Sequence, residues 1–217
     1  MIKNFYRLLE TPFVYRFSQF LLTPGLNHLM GPLFKRVFGA SRGKILDVGC
    51  GPTLNTPQPK GLLVGVDING SYIRQYTGGF IDRDLKRVIK RRSSRRRLGF
   101  VASAENLPFR SGIFNEARSY GLFHHLPDEM AHRAMKEMKR CVRKGGRVVI
   151  LDAVWPVSAW TRPVAWAIRK MDRGKYVRYQ EQMLALLQKA CPGPWAWERM
   201  TGTYTGLEYL AAWCPRK

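Results

Sequence analysis

Two sets of residues in this chain have the types and spacing to do chemistry. The first is Asp47-Val48-Gly49-Cys50-Gly51, a carboxylate ahead of two glycines one residue apart, followed twenty residues after Asp47 by a second carboxylate, Asp67. Glycines at 49 and 51 remove the side chains that would hold a ligand off the backbone, and an acid at the tip of the next strand stands where ribose hydroxyls are bonded in α/β nucleotide sites. The second set is His124-His125. Histidine is the one side chain in its loop whose unperturbed pKa suits proton removal near neutral pH. The same pair serves equally well as structure, with one ring nitrogen bonded to a backbone carbonyl, and the sequence leaves both roles open. The four cysteines, Cys50, Cys141, Cys191 and Cys214, are scattered and form no C-x-x-C, so neither a zinc site nor a disulfide framework is expected, and no metal.

These residues need elements to hold them. Ile45, Leu46 and Val48 suit a parallel strand covered on both faces, and Leu62 to Asp67 reads as the second strand. A short helix from Ser71 to Tyr76 comes next. Leu98 to Ala102 reads as a third strand and Phe114 to Leu122 as a fourth, although Arg118 is a charge where a central strand calls for an apolar residue. A helix with Met130, Ala134, Met138 and Val142 on one face is expected to end at Lys144-Gly145-Gly146, before a fifth strand from Arg147 to Asp152. A helix spans 177–190. Trp195 to Thr201 and Glu208 to Cys214 pair around Thr205-Gly206 as a terminal antiparallel hairpin. A dinucleotide-binding reading would need glycine at Leu54 and a well-formed helix N-terminus; Pro52, Pro57 and Pro59 argue against that helix.

The ordered motifs resemble those of the class I S-adenosylmethionine-dependent methyltransferases, in particular their small-molecule, ubiquinone/menaquinone-type branch (methyltransferase type 11). Asp47, Gly49 and Gly51 match a D-x-G-x-G-x-G motif whose third glycine is Thr53 here. Ala104-Glu105 and Leu107-Pro108-Phe109 match D-A-E-x-L-P-F, with Ser103 in place of the aspartate. Gly121, His124, His125, Leu126 and Asp128 match the fourth motif, with Asn115 in place of its usual Asp. Arg143-Lys144-Gly145-Gly146-Arg147-Val148-Val149-Ile150 resembles the segment closing the cofactor half. The resemblance covers Lys44 to Asp152 and implies an α/β, doubly wound Rossmann-like sheet of about seven strands, ending in the hairpin and carrying helical lid segments. It implies S-adenosyl-L-methionine as cofactor, with S-adenosyl-L-homocysteine as product. Asp67 would hold the ribose, with Asp47, Ile68 and Gly121 on the cofactor side; Gly49 and Gly51 would offer backbone contacts, Ser103, Ala104 and Glu105 would face adenine, and His124 or His125 would orient or deprotonate the acceptor. An oxygen or carbon of an aromatic, quinone-like or lipid-like small molecule is the favoured acceptor. An RNA methyltransferase and a non-catalytic protein that keeps the cofactor fold are the alternatives; no N-P-P-Y-type motif or recognisable RNA-binding module supports the former.

Length and charge set the remaining expectations. With 217 residues, 45% of them hydrophobic, the chain has enough apolar side chains for one sizeable core: an N-terminal helical segment over residues 1–40, lying on the substrate side by the resemblance, and a domain over 41–217 with a basic insertion at about 79–97 and a lid insertion at about 153–192. Ile2, Phe5, Leu9, Phe13, Phe17 and Phe20 recur at helical spacing around Pro12. The net charge of +22 draws polyanions, anionic membrane or an acidic protein. It is densest in Arg83, Lys86, Arg87, Lys90, Arg91, Arg92, Arg95, Arg96 and Arg97, read either as a solvated insertion, helical to Lys90, or as an anion-binding segment. An anionic membrane surface or an acidic carrier protein is the partner expected for Arg83 to Arg97, with nucleic acid less favoured. No apolar run approaches the ~20 residues needed to cross a bilayer, and Lys3, Arg7, Glu10 and Arg16 interrupt any signal-peptide pattern. A cytoplasmic protein is expected, with peripheral attachment to the inner face of the membrane left open.

Overall fold

Alternation of buried side chains explains the central layer. The computed structural model describes residues 32, 36–37, 41–52, 60–82, 87–90, 97–172, 174–202 and 205–215; the expected N-terminal helices, Thr53, Pro57, Pro59 and most of the basic run lie outside them. In strand β1 (Arg42–Val48), Ile45 turns to one face of the sheet with Leu63, Ile73 and Tyr76. Leu46 and Val48 turn to the other, with Val64, Val66, Met135, Met138, Met183 and Leu187. A strand with apolar neighbours on both sides is buried whichever way its residues point, and this holds β1 at the centre.

Strands β2 (Lys60–Asp67), β5 (Arg97–Val101), β6 (Phe114–Tyr120) and β7 (Val142–Val154) run parallel to β1, while β9 (Glu208–Pro215) and β8 (Ala196–Thr201) close one side antiparallel. These are the seven expected strands. Two more, β3 (Gly79–Asp82) and β4 (Arg87–Lys90), form an antiparallel pair that joins β5, so the nine-stranded order is β3-β4-β5-β2-β1-β6-β7-β9-β8. This corrects the expectation of a helix up to Lys90: the open edge of β5 offers unpaired backbone groups, and β4 takes them up through Arg87 opposite Phe100 and Val88 opposite Gly99. The chain winds outward from β1 to β2 and β5, then returns to β6 and β7, so the winding reverses between β1 and β6. Ligands in open α/β sheets bind at the carboxyl ends of strands at such a reversal.

Helices cover both faces. Helix α1 (Gly70–Thr77) starts where the Asn69 side chain accepts from the amides of Ser71 and Tyr72, and ends at left-handed Gly78. Helix α2 (Asp128–Cys141) packs beside α4 (Gln180–Ala190) on the opposite face, burying Ala131, Ala134, Met135, Met138 and Cys141. Helix α2 stops at Cys141 and not at the glycines, because Val142 is already extended and pairs with Phe114; the ladder resumes after a bulge with Glu116 opposite Arg147. Helix α3 (Pro163–Lys170) lies over Val149, Leu151, Tyr209 and Ala211 through Ala165. Among the described residues no helix is long and apolar enough to cross a membrane.

Candidate active site

The cleft at the carboxyl ends of β1, β2, β5 and β6 is knit together by Asp67. The amides of Gly49 and Cys50 donate to the carbonyl of Val66 at 2.8 and 3.1 Å, folding the chain back over the end of β2. One Asp67 carboxylate oxygen accepts from the Gly51 amide at 3.0 Å and the other from Asn69 at 2.8 Å, while the Asp67 carbonyl accepts from Ala102 at 3.1 Å. The glycine turn, the start of α1 and the loop after β5 thus converge on Asp67. Burial pushes the Asp67 carboxyl up from its ordinary value, and the amides of Asn69, Gly51 and Ile68 pull against it.

Both glycines are required, for different reasons. Each has positive φ, +69° at Gly49 and +61° at Gly51, a region costly for residues with a Cβ. A Cβ at Gly49 would come within 2.9 Å of Leu122, whereas one at Gly51 would meet no described residue within 4 Å. Gly49 is a packing glycine; among the described residues nothing fills the space over Gly51, and a bare backbone faces it. The open cradle, the acceptor carboxylate of Asp67 and the apolar side chain of Ile68, 78% exposed beside it, make a donor and acceptor set that fits a nucleoside carrying an amino-acid tail.

Asp47 stands beneath this cradle. It is buried, 3.5 Å from the equally buried Arg118 guanidinium and 3.4 Å from the Tyr76 hydroxyl. Burial raises its pKa against the opposing pull of Arg118. The charge that looked out of place in a central strand is therefore the partner of the first motif acid, opposite it in the β1–β6 register. On the third side, Ser103 builds a turn, its hydroxyl accepting from the Glu105 amide at 3.3 Å and its carbonyl from Asn106 at 3.2 Å. Ala104 is half-buried between them. The Glu105 carboxylate is bound by Arg133 of α2 at 2.6 Å.

The two histidines part company. After left-handed Gly121, whose amide donates to Leu151 at 2.9 Å, the chain makes a 3₁₀ turn over Phe123–His125. His124 is buried, with Nδ1 2.6 Å from Asp152 and Nε2 4.0 Å from Asp172. Burial alone would lower its pKa; the charge and hydrogen bond of Asp152, with Asp172, outweigh that and raise it. Asp152 is raised by its own burial, but His124 and the amides of Phe123 and Ala153 bring it below its ordinary value. His125 is exposed, its ring 4.1 Å from that of His124. Sequence reasoning missed Asp152, Asp172, Gly174 and Arg178, which fasten this loop. The Arg178 guanidinium donates to the carbonyls of Phe123, Leu126 and Tyr176 and to Asp128, and Gly174 lies so close that a Cβ would come within 2.0 Å of the His124 ring. Asp152 carried a signal, an acid near the end of a strand as at Asp67; the other three are legible only through contacts.

Residues 46–150 match the family described as the methyltransferase domain. They form a methyltransferase domain. This domain is of the class I, S-adenosylmethionine-dependent kind, whose cofactor is S-adenosylmethionine. Solved structures of the same fold include a Thermotoga maritima SAM-dependent methyltransferase described as a possible histamine N-methyltransferase, 16% identical over 97% of this chain and 99% of that one, TM-score 0.65. A phosphoethanolamine N-methyltransferase 2 of Haemonchus contortus, in complex with phosphomonomethylethanolamine and S-adenosylhomocysteine, is 14% identical over 92% of this chain and 57% of that one, TM-score 0.65. The [4+2]-cyclase SpnF also shares the fold, at 17% identity over 87% of this chain and 81% of that one, TM-score 0.59. The methyltransferase thus shares its frame with proteins of different chemistry, and its acceptor has to be argued from its own residues.

Proposed function

We propose that this methyltransferase alkylates an oxygen or carbon of a small aromatic, quinone-like or lipid-like acceptor. When bound, S-adenosylmethionine supplies a methyl carbon made electrophilic by its sulfonium. The chain's own task is to hold the reactants in line and keep water out. Asp67 would accept from the ribose hydroxyls, and the backbone at Gly49, Gly51 and Gly121 would hold the rest of the cofactor. Ile68, Ser103, Ala104 and Glu105 would hold the adenine side. Asp47 acts from below, at the end of β1, where Arg118 of β6 pairs with it.

On the acceptor side the work divides between the histidines. His124, clamped by Asp152, positions the loop; His125, exposed on the same turn, orients the acceptor or takes its proton. The observation that carries the acceptor class is the aromatic cluster that follows Val154 at the same end of the sheet. Trp155 lies 5.8 Å from Trp166 and 6.3 Å from Tyr179, ring centre to ring centre, and its indole N–H is satisfied by the carbonyl of Val177 at 2.9 Å. Such rings offer broad apolar area with a fixed orientation, which suits a flat or greasy acceptor. The basic segment Arg83 to Arg97 docks the enzyme on an acidic surface, anionic membrane or an acidic carrier that presents the acceptor.

Incubation of the protein with labelled S-adenosylmethionine and fractionated host extract tests this reading. Label is expected in organic-soluble material. Label in RNA would transfer the basic segment, and the reading, to the RNA alternative.

A further inference from the structure

The lid carries an apolar face that no described residue covers. Helix α3 buries Ala165 and Arg169 against the sheet, so its outer stripe is Val164, Ala167 and Met171. Surface helices ordinarily turn polar residues outward. Here Val164 is 60% and Met171 71% exposed, and the loop before them adds Val157 at 72% and Trp160 at 95%. Single exposed apolar side chains are ordinary; four within fifteen residues of one segment, one of them a tryptophan in nearly full contact with water, concentrate exposed apolar surface in the way that marks an interaction site.

The surrounding charge selects the partner. From Ala153 to Gln180 the only acid is Asp172, and it is bound to Arg169 at 2.8 Å. Arg178 pairs with Asp128, and Arg162 shares Glu208 with Arg199. Lys175 is exposed, and Lys170 holds its ammonium 5.1 Å from the Trp166 ring. A tryptophan and aliphatic side chains on one segment with exposed Lys170 and Lys175, whose one acid is taken up by Arg169, is the composition of an element that lies in a lipid interface: apolar groups enter the acyl boundary while the ammonium groups remain at the headgroups. The chain's net charge of +22 adds long-range attraction to anionic lipid.

We propose that the outer face of the lid, Val157, Trp160, Val164 and Met171 flanked by Lys170 and Lys175, inserts into the surface of an anionic membrane. The proposal rests on the membrane reading of the partner given above and adds to it a contact different in kind. Docking through Arg83 to Arg97 is electrostatic and vanishes with salt, whereas insertion of Trp160 persists. It also sets the acceptor-side aromatics next to the bilayer, the route by which a lipid-soluble acceptor enters.

The test is flotation of the full chain with vesicles of equal parts phosphatidylglycerol and phosphatidylcholine, at low salt and at about 1 M salt, where charge is screened beyond about 3 Å. Trp160→Ser with Val164→Ser removes the insertion without touching the core, and thermal melting checks that the fold is kept. Loss of these two side chains is expected to lower vesicle partitioning about tenfold or more at both salt concentrations, whereas Arg91, Arg92, Arg95, Arg96 and Arg97→Gln lowers it at low salt alone. Equal partitioning of the Trp160/Val164 variant and the parent overturns the lid proposal and leaves the basic segment standing; no partitioning by the parent overturns both. Acrylamide quenching in the absence of lipid gives a second check. If the component lost in Trp160→Ser is shielded before lipid is added, another part of the chain or a second copy already covers the face, and the proposal fails.

Discussion

Asp67 and Asp152 occupy similar places in the sheet, near the carboxyl ends of β2 and β7, and the carboxylate of each accepts backbone amides. Their surroundings give them different duties. No cationic side chain bonds Asp67 among the described residues, and burial pushes its carboxyl up; its oxygens hold the Gly51 and Asn69 amides at the rim of an open cradle. Asp152 lies deeper, with His124 as counter-ion, and is held down. One acid stands without a cation at the end of β2, and the other fastens the loop that carries the two histidines. The side chain alone does not assign the role; what sets it is whether a cation has been folded against it.

The comparison is broken most severely at Asp152. Asp152→Ala strands a buried histidine and two buried amides, and removing one partner of a buried pair costs about 3–5 kcal/mol. Urea unfolding should show a loss of that size, while Asp67→Ala should cost far less; a loss at Asp152 below about 1 kcal/mol would mean that the pair does not hold the loop. Next in size is Gly174→Ala. With a Cβ 2.0 Å from the His124 ring, overpacking should cost about 1–3 kcal/mol and leave residues 171–176 more open to protease than in the parent.

The pH dependence of the pair sharpens the comparison. His124 has a folded pKa above its ordinary 6.5, so its contribution is complete below 6.5 and lost as pH rises through the folded value. Asp152 has a folded pKa below its ordinary 3.8, so its contribution is complete above 3.8 and lost as pH falls through the folded value. Asp67 has the opposite sign to Asp152, its raised pKa favouring the folded state in acid. The stability difference between the parent and His124→Gln should therefore be greatest between about pH 4 and 6 and shrink toward alkaline pH. A difference that grows above pH 8 would contradict the assignment. The smallest effect on stability belongs to His125→Gln, within about 0.5 kcal/mol for an exposed side chain. Turnover on the fraction that takes label should nonetheless fall by about 10²–10⁴-fold if His125 moves the acceptor proton; a loss under about threefold would leave His125 no part in proton transfer.

Much of the open side of the cleft was legible in the sequence because its signals are local. Two glycines one residue apart, an acid ending a short apolar run, and Leu107-Pro108-Phe109 after a strand each state their conformation within a few residues. The fastened side was not, because its partners are distant in sequence. His124 meets Asp152 28 positions on, and Arg178 reaches back 55 positions to Phe123. Arg118 looked wrong as a strand residue for the same reason, since only the β1–β6 register brings it to Asp47. The extra pair β3–β4 was obscured by its charge: Arg87 and Lys90 suggested a solvated helix, but the ladder needs only their backbone. The end of α2 was misjudged by three residues because Gly145-Gly146 resembles a helix stop, while Val142, β-branched and paired with Phe114, had already left the helix.

The central claim is that the cradle over Gly51 and Asp67 holds S-adenosylmethionine, and isothermal calorimetry of the parent beside Asp67→Ala tests it most directly. The parent should bind S-adenosylmethionine at one site. Asp67→Ala should still melt as a folded protein and lose about tenfold or more in affinity, the equivalent of one or two charge-assisted hydrogen bonds. Absence of binding by the parent, or equal affinity in the two proteins, would contradict the account.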